Sequence, residues 1–130
     1  MSTHELVHGD LTEKIVGVFY GVFRELGTGF PEALYRRAMC IALEQAGIAC
    51  QQEVPITVYF RGQPIGNFRL DLVAERCVVL ECKVADRIVP GHRVQLLNYL
   101  TASDLSVGLV LNFGASPTFS RVVNENRRKA

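Results

Sequence analysis

No apolar run in these 130 residues approaches the ~20 residues that a membrane-spanning helix needs, so no membrane span is expected. Neither sign of charge predominates. Lys+Arg number 14 and Asp+Glu 13, for a formal net charge of +1. A global basic field is therefore missing, and any nucleic-acid contact must come from a local patch. The four cysteines, Cys40, Cys50, Cys77 and Cys82, include no C-x-x-C pair, and no signal-peptide pattern precedes them. Reduced, mostly buried thiols in a cytoplasmic protein are expected. Internal repeats, low-complexity tracts and Pro/Gly/Ser linkers are missing too. The chain is thus expected to form one domain over 1–130, with 1–9 and 123–130 as flexible flanks. What is present is 48% hydrophobic and 21% charged, which suits a folded core and not a disordered chain.

Hydrophobic spacing organises the chain. In residues 11–26, "LTEKIVGVFYGVFREL", Ile15, Val18, Phe19, Val22, Phe23 and Leu26 follow the i, i+3, i+4, i+7 rule of an amphipathic helix. Asp10 is expected as its N-cap, with Glu13 completing a capping box, and Gly27 stops it. Pro31 suits the first turn of a second helix that runs to about Gln45 and stops at Gly47. Leu34, Ala38, Ile41, Ala42 and Gln45 share one face of it. The period then changes to two. "ITVYFRGQPIGNFRLDLV" reads as two strands joined around Arg61-Gly62, and "CVVLECKV" as a third after the turn Ala74-Glu75-Arg76. Residues 93–102 read as a helix with Pro90 and Gly91 near its start. "SVGLVLNFG" is a strand apolar on both faces, and "TFSRVV" a shorter one. The order is ααβββαββ, an α/β or α+β sheet with helices packed on it.

The hairpin "RLDLVAERCVVLECKV", residues 69–84, carries Asp71, Glu81 and Lys83 inside its strands. Charges there are costly unless paired, solvated or bound to metal. A three-residue turn at Ala74-Glu75-Arg76 sets Val73 opposite Cys77, Asp71 opposite Val79 and Arg69 opposite Glu81. One face then holds Phe68, Leu70, Leu72, Val78, Leu80, Cys82 and Val84, all apolar. The other holds Arg69, Asp71, Val73, Cys77, Val79, Glu81 and Lys83. A turn one residue shorter or longer would mix charge into the apolar face. Asp71 and Glu81 become diagonal neighbours, roughly 7–8 Å apart, and a hard divalent cation such as Mg²⁺ would relieve their repulsion. Lys83 points at the same spot. The bland alternative pairs Arg69 with Glu81 or Asp71 and leaves Lys83 in solvent.

Asp71, nine residues and then Glu81-Cys82-Lys83 resemble the core motif of the PD-(D/E)XK nuclease superfamily. Gly29, Glu32 and Tyr35 in "GFPEALY" match the G-x-x-E-x-x-Y pattern that names the GxxExxY family within that superfamily. Gln95 and Tyr99 in "QLLNYL" resemble the Q-x-x-x-Y motif of its RecB-like branch, and "LNFG" at 111–114 also resembles this family. Leu70 stands where the Pro that names the PD motif would be. The resemblance, from about residue 11 to Arg121, implies a restriction-endonuclease-like core: a mixed sheet of four to five strands flanked by helices. It implies that Glu32, Asp71, Glu81 and the Cys82 carbonyl bind Mg²⁺ or Mn²⁺, and that Lys83 positions water or neutralises phosphate charge. Gln95 and Tyr99, one helical turn apart, would reach toward Lys83 or a nucleotide, while Val94, Leu97 and Thr101 lie on the sheet. His92 with Arg87 and Arg93 could form a phosphate-binding edge. The implied activity is metal-dependent hydrolysis of DNA or RNA.

Two other readings were open. "HELVH", residues 4–8, has the H-E-x-x-H spacing of zincins, with His4 and His8 as ligands and Glu5 as base. Gly9-Asp10 would end its helix at once, and Leu11 and Lys14 occupy the positions of the metzincin extension, so the match is read as chance. The stronger rival is a nuclease-like fold used as a non-catalytic nucleic-acid-binding or assembly module, in which the apolar first helix could also serve a homodimer.

Overall fold

The computed structural model describes residues 7–125. The elements run α1 (Gly9–Leu26), α2 (Glu32–Gln45), β1 (Cys50–Phe60), β2 (Gln63–Ala74), β3 (Val78–Lys83), α3 (Pro90–Ser103), β4 (Val107–Phe113) and β5 (Pro117–Val123). The order is the expected ααβββαββ. The five strands form one mixed sheet in the order β1-β2-β3-β4-β5. Only β3 and β4 are parallel, because α3 crosses between them. The other neighbouring pairs are antiparallel.

Helices cover both faces of the sheet, and each cover has its own apolar core. Ile15, Phe19 and Val22 of α1 and Tyr35, Met39 and Leu43 of α2 pack against Leu72, Leu80, Cys82, Leu109 and Phe113. Leu96 and Leu100 of α3 pack against Leu70, Val73, Val79, Val110 and Val122. All of β4 is buried, as its two-sided apolar pattern requires. Among the described residues, no helix is long and apolar enough to cross a membrane.

Several local expectations shift. The first helix starts at Gly9, so Asp10 lies in its first turn, where a carboxylate favours the helix dipole, and is not its N-cap. His8 precedes the helix in the left-handed conformation (φ 54°). It is therefore outside any helix that an H-E-x-x-H site would need, while His4 and Glu5 lie outside the described residues. Pro31 occupies the position before α2 with extended ψ (154°). On α2 the face shared by Leu34, Ala38, Ile41, Ala42 and Gln45 is not the main buried one, although Ala38 and Ala42 pack against the core. Leu34 and Ile41 are exposed, and the buried residues are Tyr35, Met39, Cys40 and Leu43. Both stripes have helical spacing, and α1 and the sheet select the larger side chains. In α3 likewise, Leu96 and Leu100 meet the sheet, while Val94 (57% exposed) and Leu97 (38%) face outward. At the C-terminal end of the described residues the chain is tied to the domain. Val123 ends β5, and the Asn124 amides donate to Ser106 O (2.8 Å) and Thr101 Oγ1 (3.1 Å).

Candidate active site

The β2–β3 hairpin has a three-residue turn, but at Glu75-Arg76-Cys77, one residue later than expected. Ala74 is held in β2 by pairing outward with Cys50, so the turn begins after it. Glu75 and Arg76 take left-handed φ values of 52° and 59°. The pairs are therefore Ala74↔Val78, Val73↔Val79 and Leu72↔Leu80. Val73 does not face Cys77, Asp71 does not face Val79, and Arg69 does not face Glu81. A register moved by two keeps side chains on their faces and brings Asp71 and Glu81 to opposed positions in place of diagonal ones.

There the ladder stops, and the stop explains why charges sit inside these strands. Glu81 Oε2 accepts the Asp71 backbone N–H at 3.1 Å, and Asp71 Oδ2 accepts that of Cys82 at 2.8 Å. Each carboxylate caps a backbone donor that the parting strands expose, which satisfies groups that burial would otherwise strand. The pairing β1–β2 also skips Glu53 and Asp71, and Glu53 takes φ 50°. The chain of β2 changes sides at this break. Phe68 and Leu70 pack in the α3 core, whereas Leu72 packs in the α1/α2 core. The single apolar face expected from Phe68 to Val84 is thus split, and Val84 itself is 39% exposed. Val73 and Val79, expected among the charges, are buried beneath α3.

Electrostatics mark the same spot. Glu81 is only 4% exposed. Burial first, and then the charge of Asp71, push its carboxyl up to about 8. Asp71 is also raised by burial, opposed by the Cys82 amide, Arg36 and Lys83. The ammonium of Lys83 donates to Gln95 Oε1 at 3.1 Å. Tyr99 stacks on Phe68 with ring centroids 4.2 Å apart and planes at 19°. Its hydroxyl is raised by burial and then by the charges of Glu81 and Asp71. Gln95 is exposed and Tyr99 half-buried on α3. The structure therefore brings together Asp71, Glu81, Lys83, Gln95 and Tyr99.

Glu32 comes from the first turn of α2 and is exposed. Its charge acts on Glu81 and Cys82. The surrounding motif residues hold that turn in place. Gly29 takes φ 109°, which favours glycine. Buried Tyr35 donates its hydroxyl to Gly27 O, accepts the Phe30 N–H at 3.3 Å, and stacks on Phe113 at 4.5 Å. Asn112 and Gly114 act on the other side of the site. Asn112 Oδ1 accepts the Ala85 N–H at 2.9 Å, and its amide donates to Ala85 O at 3.0 Å. These bonds fix the chain as it leaves Lys83.

Hard oxygen donors are the right chemistry for a divalent cation, and the two strand carboxylates are crowded enough to raise each other's affinity for positive charge. The Cys82 side chain is fully buried in the core, so only its carbonyl could join them. Among the described residues, however, no three His, Cys, Asp or Glu side chains already form a cluster that could hold an ion. Asp71 and Glu81 fit as a preformed pair, with Glu32 near enough for its charge to act on Glu81.

Other sequence-derived partners are redistributed. Arg69 Nη1 lies 3.8 Å from Glu53 Oε1, not beside Asp71 or Glu81. Arg36 Nη2 approaches the same oxygen at 3.9 Å. The proposed basic edge does not form as one unit. Arg93 is bonded to Ser120 Oγ and Arg121 O on β5, and His92 Nδ1 accepts the Val89 N–H at 3.2 Å. Glu53 is the site neighbour that sequence reading missed. Arg36, one turn after Glu32, was open as a partner of Glu32, and its ion pair is with Glu53. Nothing in the sequence announces the left-handed Glu53.

The chain belongs to the PD-(D/E)XK nuclease superfamily: the sequence model of that family matches residues 9–123. A search of curated proteins finds no match. Among solved structures, the crystal structure of SSO0001 is similar, with a TM-score of 0.51 and 14% identity over 91% of this chain and 80% of that one. That likeness speaks for the fold alone. The mixed five-stranded sheet flanked by helices fits a restriction-endonuclease-like core.

Proposed function

We propose that this member of the PD-(D/E)XK nuclease superfamily is a metal-dependent nuclease that hydrolyses phosphodiester bonds of nucleic acid, DNA being the favoured substrate. The whole chain serves as one nuclease-like domain. Within the superfamily, Gly29, Glu32 and Tyr35 favour the GxxExxY family, and Gln95 with Tyr99 the RecB-like branch. One observation carries the reading. Two carboxylates from adjacent strands, both raised by burial, meet where the strands part, and the charge of one lysine, which α3 steadies through Gln95, acts on both.

Asp71, Glu81, Glu32 and the Cys82 carbonyl would hold Mg²⁺ or Mn²⁺. Bound there, the cation supplies charge neutralisation and a more acidic water. The chain's own groups do the positioning. Lys83 has three N–H donors, one of them engaged by Gln95, and offers the others to an attacking water or a phosphate oxygen. Gln95 limits where that ammonium can point. Tyr99, flat on Phe68, presents its hydroxyl edge to the same space.

The test is cleavage of labelled DNA and RNA by purified protein in Mg²⁺ or Mn²⁺, beside Lys83→Ala. A loss of at least about 100-fold is expected for that variant, the range for losing a charge-stabilising donor, with an unchanged melting curve. Equal activity of the two proteins points to a contaminant and removes the hydrolase reading. The non-catalytic module would then stand, favoured by the near-neutral net charge of +1.

Gln95→Ala gives a finer expectation. The Lys83–Gln95 bond is exposed, so stability should stay within about 0.5 kcal/mol while turnover falls roughly 10-fold, since positioning groups act through geometry. A variant that loses several kcal/mol in urea unfolding yet keeps its specific activity would make Gln95 structural.

A further inference from the structure

Arg36 has no part in the chemistry above, yet it stands beside it. Its side chain is 17% exposed on α2, and its charge acts on Asp71 and Cys82. Its Nε is buried and has no hydrogen-bond partner among the described residues. Arg69 approaches from β2, with a side chain 71% exposed. Both guanidinium groups share one oxygen of Glu53, at 3.9 and 3.8 Å. Those distances are ion-pair contacts and too long for hydrogen bonds. Two arginines with five N–H donors each thus share one half-exposed carboxylate. Glu53 reaches them from a left-handed backbone, where β1 and β2 fail to pair beside Asp71. Backbone strain of that kind persists where the surroundings impose it, and it gathers at functional sites.

The charge balance says what this arrangement lacks. Glu32, Asp71 and Glu81 repel a phosphodiester, and the net charge of +1 provides no long-range attraction. A nucleic-acid strand needs a local cationic foothold. Guanidinium groups suit phosphate because their planar forks match its oxygens. We infer that Arg36 and Arg69 form the seat for a non-scissile phosphate of the nucleic-acid strand that enters the carboxylate site, with Glu53 as the resident anion which that phosphate displaces. The inference rests on the nuclease reading for its ligand. Glu53 leaves readily because its contacts are long and half in water.

The test is fluorescence anisotropy of a labelled DNA duplex with the full chain in EDTA, titrated with salt, for wild type, Arg36→Gln/Arg69→Gln and Glu53→Gln. Cleavage in Mn²⁺ is measured in parallel. The double variant should lose about 1 from the magnitude of the slope of log K against log salt, the value for one phosphate contact. Glu53→Gln should bind roughly 3–10-fold more tightly, as removing one competing charge does at the surface. Arg36→Lys, melting like wild type, should keep the slope and bind more weakly, because a point charge replaces a fork. If wild type binds and cuts while the double variant keeps its slope, or Glu53→Gln binds more weakly, the seat is overturned and the nuclease reading stands. Binding that shows these changes without any cleavage keeps the seat and overturns the hydrolase. No binding by wild type overturns both.

Discussion

Gly114→Ala is expected to destabilise the protein by at least ~3 kcal/mol, at or beyond the upper end of ordinary overpacking penalties. A Cβ at this position would lie 1.9 Å from Ala85 O and 2.9 Å from Ala85 C. The obstacle is backbone, so no rotamer can relieve it. Moving Ala85 away breaks its two hydrogen bonds with Asn112, which is fully buried, and leaves polar groups unpaired. Gly17 is the matched control. A Cβ there meets nothing within 4 Å on α1, so Gly17→Ala should add roughly 0.5–1 kcal/mol by helix propensity. Urea unfolding of both variants decides the matter. A Gly114→Ala protein within 1 kcal/mol of wild type by that measure would show that the Lys83 exit chain is not held as described. Ala85 lies two residues beyond Lys83, so the surviving folded fraction should also cut poorly.

This position shows how the LNFG stretch works. Asn112 and Gly114 clamp the segment after β3, and Phe113 stacks on Tyr35 of the G-x-x-E-x-x-Y stretch. The two motifs touch each other. Much of what made them recognisable is scaffold that holds the turn leading to Glu32 and the chain leaving Lys83.

The element order was legible because the periods are unambiguous. A 3.6-residue stripe marks α1, alternation marks the β1–β2 hairpin, and uniform apolarity marks β4. The two left-handed residues Arg61 and Gly62 between Phe60 and Gln63 confirm that hairpin's turn. Helix orientation was less legible, because α2 and α3 each carry two apolar stripes and tertiary packing decides between them. Leu96 and Leu100 lie under the sheet, although Val94 and Leu97 have an equally good spacing. The grouping of Asp71, Glu81 and Lys83 followed from alternation, which a register shift of two does not alter. What alternation could not show is the break at Asp71. It replaces a ladder pair by side-chain caps and reverses the side on which Leu70 packs. Opposite the break stands Glu53, whose left-handed conformation no local pattern encodes.

In metal-free buffer at pH 9, Glu81→Gln should be more stable than wild type, on the order of 3–5 kcal/mol. The estimate follows from about 1.4 kcal/mol per pKa unit and a native carboxyl raised from 4.5 to about 8. The native state holds this proton more tightly than the unfolded chain. Below pH 4.5 both states are protonated, and Glu81 contributes no difference. Between 4.5 and about 8 only the unfolded chain has released it, so stability falls as pH rises. Above that window both are ionised and the loss is complete. Gln keeps an oxygen for the Asp71 N–H and carries no charge, so its variant should be nearly flat across the window. Millimolar Mn²⁺ should offset much of the wild-type loss, by about 2.7 kcal/mol at a hundredfold excess over Kd. The gain should grow from pH 6 to pH 8 as metal displaces the Glu81 proton, and it should vanish in Glu81→Gln and Asp71→Asn. Melting curves across pH, with EDTA or Mn²⁺, read out both effects without any substrate. Parallel pH profiles for wild type and Glu81→Gln would remove the buried-acid account. A melting temperature that millimolar Mn²⁺ leaves unchanged at pH 8 would remove the metal from the carboxylate pair and leave the two acids only their role as caps on the backbone donors of the parting strands.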